Sequence, residues 1–231
     1  MNKLMLLEAK KYPIQTKIVA VLIANIVIFI LSAAITGIVT LFSKYMDLGI
    51  LISFQMDTLT IAKLLVRAFL IVLQAILIAQ IIIEEYRNKT ITLLFTYPVT
   101  RRDVIMAKIT YIVLQLLAFH FVSLLFQQIA VFALGQVIPP LQSGFEPLWS
   151  QGIITLSCIA LGFFPMLIGC MHNSSIATIV SSLVIACSVS SSQGMSAGLM
   201  AVPFIALFLG SLGVFSAALA VKKILNNDVM V

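Results

Sequence analysis

Lys17 to Lys44 reads KIVAVLIANIVIFILSAAITGIVTLFSK, and no charged residue lies between its two terminal lysines. About 20 consecutive apolar residues suffice to cross a bilayer as a helix, so this stretch is long enough to span with some tilt. The rest of the chain agrees with it. The 231 residues are 61% hydrophobic and only 10% charged, with a mean hydropathy of +1.16, whereas a soluble domain is about a quarter charged. Fourteen Lys+Arg and eight Asp+Glu are too few to coat a water-facing surface. The expected fold class is therefore all-α: a polytopic membrane protein, with residues 1–231 forming a single transmembrane domain.

Five further apolar runs follow the first. The second is charge-free from Ala68 to Ile83, with Arg67 expected to snorkel toward the surface. The third runs from Lys108 to about Ala133 and the fourth from about Gly152 to Met171. A shorter fifth covers Ile176 to about Val189, and the sixth runs from Ala197 to Val221. Six spans place the N-terminus, the segment between spans two and three, and the C-terminus on one side. That side carries 11 of the 14 basic residues, among them Lys10, Lys11, Arg87, Arg101, Arg102, Lys222 and Lys223. Lys44, Lys63 and Arg67 fall on the other, beside Asp47, Asp57 and Glu146. The positive-inside bias then makes both termini cytoplasmic and the expected location the cell membrane.

Composition also excludes functions. There is no Gly-x-x-x-x-Gly-Lys phosphate loop and no room for a soluble nucleotide-binding domain, so ATP chemistry has to come from another chain. The net charge of +6 is membrane-flank charge rather than a nucleic-acid surface. Cys158, Cys170 and Cys187 have no metal or redox spacing and read as small buried hydrophobes.

Residues 84–108 form the one long segment on the basic side. Ile91, Leu94 and Phe95 fall at i, i+3 and i+4, while Arg87, Lys89, Thr90 and Thr92 are polar, the pattern of a short amphipathic helix. Pro98 breaks it. Thr100 followed by Asp103 resembles a capping box, so a new helix is predicted to open at Arg101. An apolar knob with a basic rim results, which suits docking on a partner protein, although a charged loop that only fixes topology is the simpler alternative.

Glu85, Lys89, Thr90, Leu94, Pro98, Arg101 and Arg102, followed by Lys108 entering an apolar helix, resemble the glutamate, glycine-threonine, leucine, proline, arginine and lysine pattern of type-2 ABC exporter permeases. In that family the pattern follows the second of six spans and forms the coupling helix that docks on an ATP-binding subunit. Lys89 stands where the wider family usually has glycine, a departure compatible with the bacteriocin and lantibiotic export or immunity branch. The resemblance implies a basic amphipathic N-terminal helix, Met1 to Lys11 within an interfacial segment 1–16. It also implies ATP-binding-cassette partners that carry the ATP and Mg, a second permease copy or homologous permease, and a hydrophobic or amphipathic peptide cargo of the antimicrobial or phenol-soluble-modulin kind. No cofactor or metal is expected on this chain.

Polar residues within the spans are the remaining candidates. His120, Ser123 and Gln127 share one helix face, and Asn25, Ser32 and Thr36 lie in the first span; each set suits either interhelical hydrogen bonding or a substrate path. No carboxylate is expected inside a span, which argues against a proton- or sodium-coupled carrier. Glu84 and Glu85 also suggest an intramembrane protease of the prenyl-processing type. Position 89 is lysine rather than that family's arginine, and a glutamate without metal ligands does not activate water at neutral pH. Finally, Ala206, Gly210, Gly213 and Ala217 make a small-residue stripe, suited to close packing within the chain or across a dimer seam.

Overall fold

The structure is a computed structural model and describes residues 11, 12, 14–45, 57–87, 101–136, 148–190, 200 and 202–227. Among these the regular elements are all helical: α1 (Ile14–Tyr45), α2 (Thr58–Ile78), a π-helical segment (Ala79–Ile83), α3 (Glu84–Arg87), α4 (Arg101–Gly135), α5 (Leu148–Leu161), α6 (Phe164–His172), α7 (Ser175–Ser190) and α8 (Pro203–Asn227). In a bilayer core only such elements satisfy every backbone N–H and C=O within themselves.

Five helices among the described residues are long and apolar enough to cross a membrane: Ile14–Thr40, Thr58–Ile83, Arg102–Gly135, Gln151–His172 and Phe204–Leu225. The fifth expected span, α7, has 16 residues, about 24 Å of helix against a hydrocarbon core of about 30 Å. Helix α4 begins at Arg101, as the capping signal predicts. The second span departs from expectation. It begins at Thr58, ten residues before the charge-free run, and Lys63 and Arg67 are buried inside it at 7% and 8% exposure. Arg67 does not snorkel, because its guanidinium donates to Gln151 Oε1 of α5 at 3.0 Å. Helix α4 exceeds the bilayer core, and Asp103 is exposed in its first turn.

Close approach holds the bundle together. The small-residue stripe of α8 lies against α5, where a Cβ on Gly210 would meet Ser157 and one on Gly213 would overlap the backbone of Ala160 and Leu161. The stripe therefore serves packing within the chain. The fourth span is broken between α5 and α6, since Pro165 cannot donate to the ladder. Phe163 N–H turns back to the Ala160 carbonyl at 3.1 Å, and the Ile159 carbonyl accepts from Gln74 Nε2 of α2 at 2.9 Å instead. Gly162 admits that amide, for a Cβ there would overlap it.

Helix α6 ends at Asn173, left-handed at φ 48°, whose N–H caps the Gly169 carbonyl. Ser174 Oγ accepts the Ala177 N–H at 3.4 Å to open α7. Gly169 lets this hairpin sit on Ile83 and Thr178. Cys158 and Cys170 are buried as expected, but Cys187 is exposed. It lies beside the exposed Leu183 and Val184, on the outer face of α7.

Two glycines give a direct contrast. Gly213→Ala drives a Cβ into the α5 backbone and is expected to destabilise the detergent-solubilised protein by about 1 to 3 kcal/mol. Gly152→Ala meets nothing within 4 Å, so the better helix former should leave thermal unfolding unchanged or raise its midpoint. Equal midpoints for the two variants would contradict the α5–α8 packing.

Candidate functional site

Glu85 lies just past the membrane-spanning part of the second span, and three side chains converge on its carboxylate. Lys108 of α4 donates to Oε2 at 2.7 Å, Lys11 to Oε1 at 2.5 Å, and the Tyr12 hydroxyl to Oε1 at 2.8 Å. The two ion-paired side chains at the centre are almost sealed, Lys108 at 3% and Glu85 at 6% exposure, while Lys11 stays half exposed. Burial alone would push the Glu85 carboxyl up. The hydrogen bonds from Lys108 and Lys11, the Lys108 charge and the Tyr12 hydroxyl outweigh that and hold it below its ordinary value.

The π-helical segment belongs to this junction. A π-bulge widens the turn and frees carbonyls from the i→i+4 ladder. Here the Gln80 carbonyl lies 3.3 Å from the Tyr12 hydroxyl, and the Ile81 carbonyl accepts from Lys108 Nζ at 3.4 Å. The extra residue in the turn sets the rotation at which Glu85 meets both lysines. Tyr111 of α4 closes the ring by donating to the Tyr12 carbonyl at 3.1 Å. Beneath it, Ile81, Ile83, Ile112, Leu116, Met166 and Ile224 form an apolar floor, so every polar group above must find its partner inside the protein or at the membrane surface.

Of the residues singled out in the sequence for docking, Glu85 is thus fixed at a buried junction and Arg102 is exposed. Lys89, Thr90, Ile91, Leu94, Phe95 and Pro98 lie outside the described residues, as do residues 1–10 of the expected interfacial helix, and the Arg101 side chain is not described. The structure does place the anchors on either side: Glu85 before residues 88–100 and Lys108 after them are joined directly. Lys11 and Tyr12 are the partners not singled out as site residues, and their signal is weak: a lysine and an aromatic next to Pro13, 74 and 73 residues from their acceptor.

The polar span residues separate into groups. Asn25 Nδ2 donates to Ser123 Oγ at 2.9 Å, and Gln127 Nε2 to the Asn25 carbonyl at 2.9 Å, which joins α1 to α4. Thr36 accepts from Thr58 at 3.1 Å, joining α1 to α2. Ser32 bonds the Phe29 carbonyl of its own helix. His120 Nδ1 lies 3.1 Å from the Leu116 carbonyl, while its Nε2 is buried with no hydrogen-bond partner. Asn25, Ser123 and Gln127 therefore come together, and Ser32, Thr36 and His120 do not join them. The protease alternative finds no support: Glu85 is committed to two lysines, and no group of three His, Cys, Asp or Glu that could hold a metal occurs among the described residues.

A bundle of apolar helices, five of them long enough to cross a bilayer, with an ion-paired junction at one end, is the structure of a multi-pass membrane protein. Residues 18–190 match the family model described as ABC-2 family transporter protein, and the chain belongs to that family. It is accordingly a membrane subunit of an ABC transporter in the cell membrane, not itself an enzyme, and its family implies an ATP-binding-cassette partner. The chain is also similar to the uncharacterized protein YcbO of Bacillus subtilis (strain 168), with 29% identity over 233 residues covering 96% of this chain and 97% of that protein. No solved structure matches.

The junction has a defined pH signature. A carboxyl whose folded pKa is depressed contributes stability that is present above its ordinary value, here 4.5, and lost as pH falls through the lower folded value. Wild-type protein should therefore lose thermal stability on acidification below about pH 4.5. Glu85→Gln should lack that component of the loss and be less stable at pH 7 by about 3 to 5 kcal/mol, because it leaves Lys108 buried without its counter-charge. Thermal unfolding across pH 3 to about 8, read for both proteins, checks the sign and the window.

Proposed function

We propose that this chain is the permease of an exporter that moves a hydrophobic or amphipathic peptide out across the cell membrane, driven by ATP-binding subunits that dock on the segment around Ile91 to Arg102. The observation that carries the reading is the Glu85 junction. A docking segment transmits force only if its two ends cannot swing independently, and Glu85 and Lys108, which flank it, are bonded at 2.7 Å. Tyr12 and Lys11 add the N-terminal segment to the same fixed point. Ile91, Leu94 and Phe95 supply the apolar face of the knob and Arg101 and Arg102 its basic rim.

In this reading the Glu85 end faces the cytoplasm, and α7 completes a sixth crossing that brings both termini to that side. ATP and Mg stay on the partner. Closure of the paired ATP-binding subunits pushes the segment, and the spans follow as a rigid body. The apolar helices suit an antimicrobial or toxin-like peptide, and Asn25, Ser123 and Gln127, joined between the first and third spans, are the candidates for polar groups on its path. A second permease, a copy of this chain or a homologue, completes the translocation route.

Two experiments test the proposal. Single cysteines at Thr100, Ser53 and Ser143, in a background without the three natural cysteines, report sidedness to an impermeant thiol reagent on intact cells. Ser53 and Ser143 should label and Thr100 should not; the reverse pattern inverts the topology. Phe95→Ala should insert and accumulate normally but recover less ATP-binding partner on co-purification, with a loss of about 1 to 4 kcal/mol in subunit affinity, and should lose transport-stimulated ATP turnover. Normal recovery with normal turnover would show that this face couples nothing.

A further inference from the structure

The outward side of α1 and α2 carries an open trough of about 590 Å³, lined by Ala20, Ile23, Ala24, Val27 and Ile28 of α1 and Leu65 and Phe69 of α2. All seven side chains are apolar. The trough exists because Ala20 and Ala24, one helical turn apart, are the small residues on a stripe otherwise built of larger side chains. From Ala20 to Ile28 it runs about 12 Å along the helix. An empty trough facing the bilayer would forfeit the dispersion contacts of its lining, so an apolar occupant belongs there.

The end of the trough nearest Glu85 says what kind. Lys17 stands on the same stripe, three residues before Ala20 and seven before Ala24. Its Nζ is shielded and has no hydrogen-bond partner. It lies 5.7 Å from the centroid of the Tyr12 ring, and the Lys11 Nζ lies 5.5 Å from the same centroid. Lys11 is tied to Glu85; Lys17 is not. Among the described residues at this end of the bundle, Lys11, Lys17, Arg87, Arg102 and Lys108 outnumber Glu84, Glu85 and Asp103. An ammonium carries three donors, and at the edge of the hydrocarbon layer the abundant anionic acceptor is a lipid phosphate.

We propose that the trough is a phospholipid site, in which an acyl chain of an anionic glycerophospholipid lies against Ala20, Ala24 and Phe69, and the Lys17 side chain turns from the Tyr12 ring to donate to its phosphate, with Lys11 as the second cation. A zwitterionic lipid makes the same chain contacts but brings its own ammonium against the two lysines, so the site selects the anionic headgroup. A second copy of the chain could fill the trough but offers Lys17 no phosphate. Bound lipid would bridge α1 and α2 just where the Glu85 junction begins.

The test uses the purified full chain, with phosphatidylglycerol and phosphatidylcholine of the same acyl composition as probes, read by native mass spectrometry and thermal unfolding. Wild type should retain phosphatidylglycerol in preference. At roughly 100 times the dissociation constant its unfolding midpoint should rise by about 5 to 10 °C, and inorganic phosphate should not reproduce the shift. Lys17→Gln leaves the trough intact and should bind both lipids equally, whereas Ala24→Phe fills the trough and should retain neither. Equal binding of the two lipids by wild type, an unchanged preference in Lys17→Gln, or the same shift from inorganic phosphate overturns the proposal. Loss of a dimer with unchanged lipid retention in Ala24→Phe also overturns it, and assigns the trough to a second copy. Lys17→Gln decides the matter even where Ala24→Phe does not accumulate.

Discussion

A carboxylate and an ammonium nearly sealed from solvent at the end of an apolar bundle impose more on this structure than any other pair of groups. Removing both charges from water is expensive, and the mutual attraction of Glu85 and Lys108 repays it only with good geometry and with the remaining lone pairs satisfied. Both conditions shape the surroundings. The π-helical turn at Ala79–Ile83 sets the angle at which Glu85 faces Lys108, and Lys11 and Tyr12 occupy the second carboxylate oxygen. Since a well-packed apolar replacement for such a pair is often as stable, what the pair supplies is register. One rotation of the second span against the third satisfies it, and the N-terminal segment is held by the same atoms.

Away from that junction the helices are held by two other means. Close approach needs small residues: Gly213 against the α5 backbone, and Gly169 against Thr178 and Ile83. Hydrogen bonds across helices then fix pairs at depth, Asn25 with Ser123, Gln127 with Asn25, Thr36 with Thr58, Arg67 with Gln151 and Gln74 with the Ile159 carbonyl. Within the bilayer each such bond contributes modestly, about 0.6 kcal/mol on average, so their effect is positional. The Gln74 bond shows the logic most clearly. Pro165 removes one backbone donor and the retracted Phe163 N–H abandons a carbonyl, and a side chain from the neighbouring span restores the missing partner.

What was legible in the sequence followed from local patterns. The first span needed only the absence of charge between Lys17 and Lys44, and the start of α4 at Arg101 needed only Thr100, Asp103 and the apolar run behind them. The motif around Glu85 pointed to the family that the match over residues 18–190 shows. For the second span the charge pattern points to too late a start, because Lys63 and Arg67 look like flanking charge although both are buried within the helix. Charge alone does not reveal that a guanidinium has a glutamine partner 84 residues away. The π-helical turn was invisible for a related reason: AQIII is an ordinary helical string, and only long-range acceptance by its carbonyls distinguishes it. Lys11 and Tyr12 carried too little local pattern to be connected with Glu85. The fourth run, continuous from about Gly152 to Met171 as a hydropathy pattern, hides the break at Gly162 to Pro165, and nothing local points to the Gln74 amide that fills it.

The distribution of directional and non-directional contacts bears on how such a bundle can move. Hydrogen bonds and the ion pair join α1, α2 and α4 to one another at several depths, from Glu85 at one end through Asn25 and Gln127 to Thr36 and Thr58 near the other. Helix α8 meets α5 through glycine and alanine surfaces instead. Breaking a buried polar bond leaves two unsatisfied groups in a medium that cannot solvate them, whereas sliding one apolar surface over another exchanges contacts of similar strength. In the proposed mechanism a push delivered between Glu85 and Lys108 would reach the first three spans as one body, with α5 joined to them through Arg67–Gln151 and the Gln74–Ile159 bond. The lower resistance lies along the apolar face of α8 rather than within the group that carries the junction.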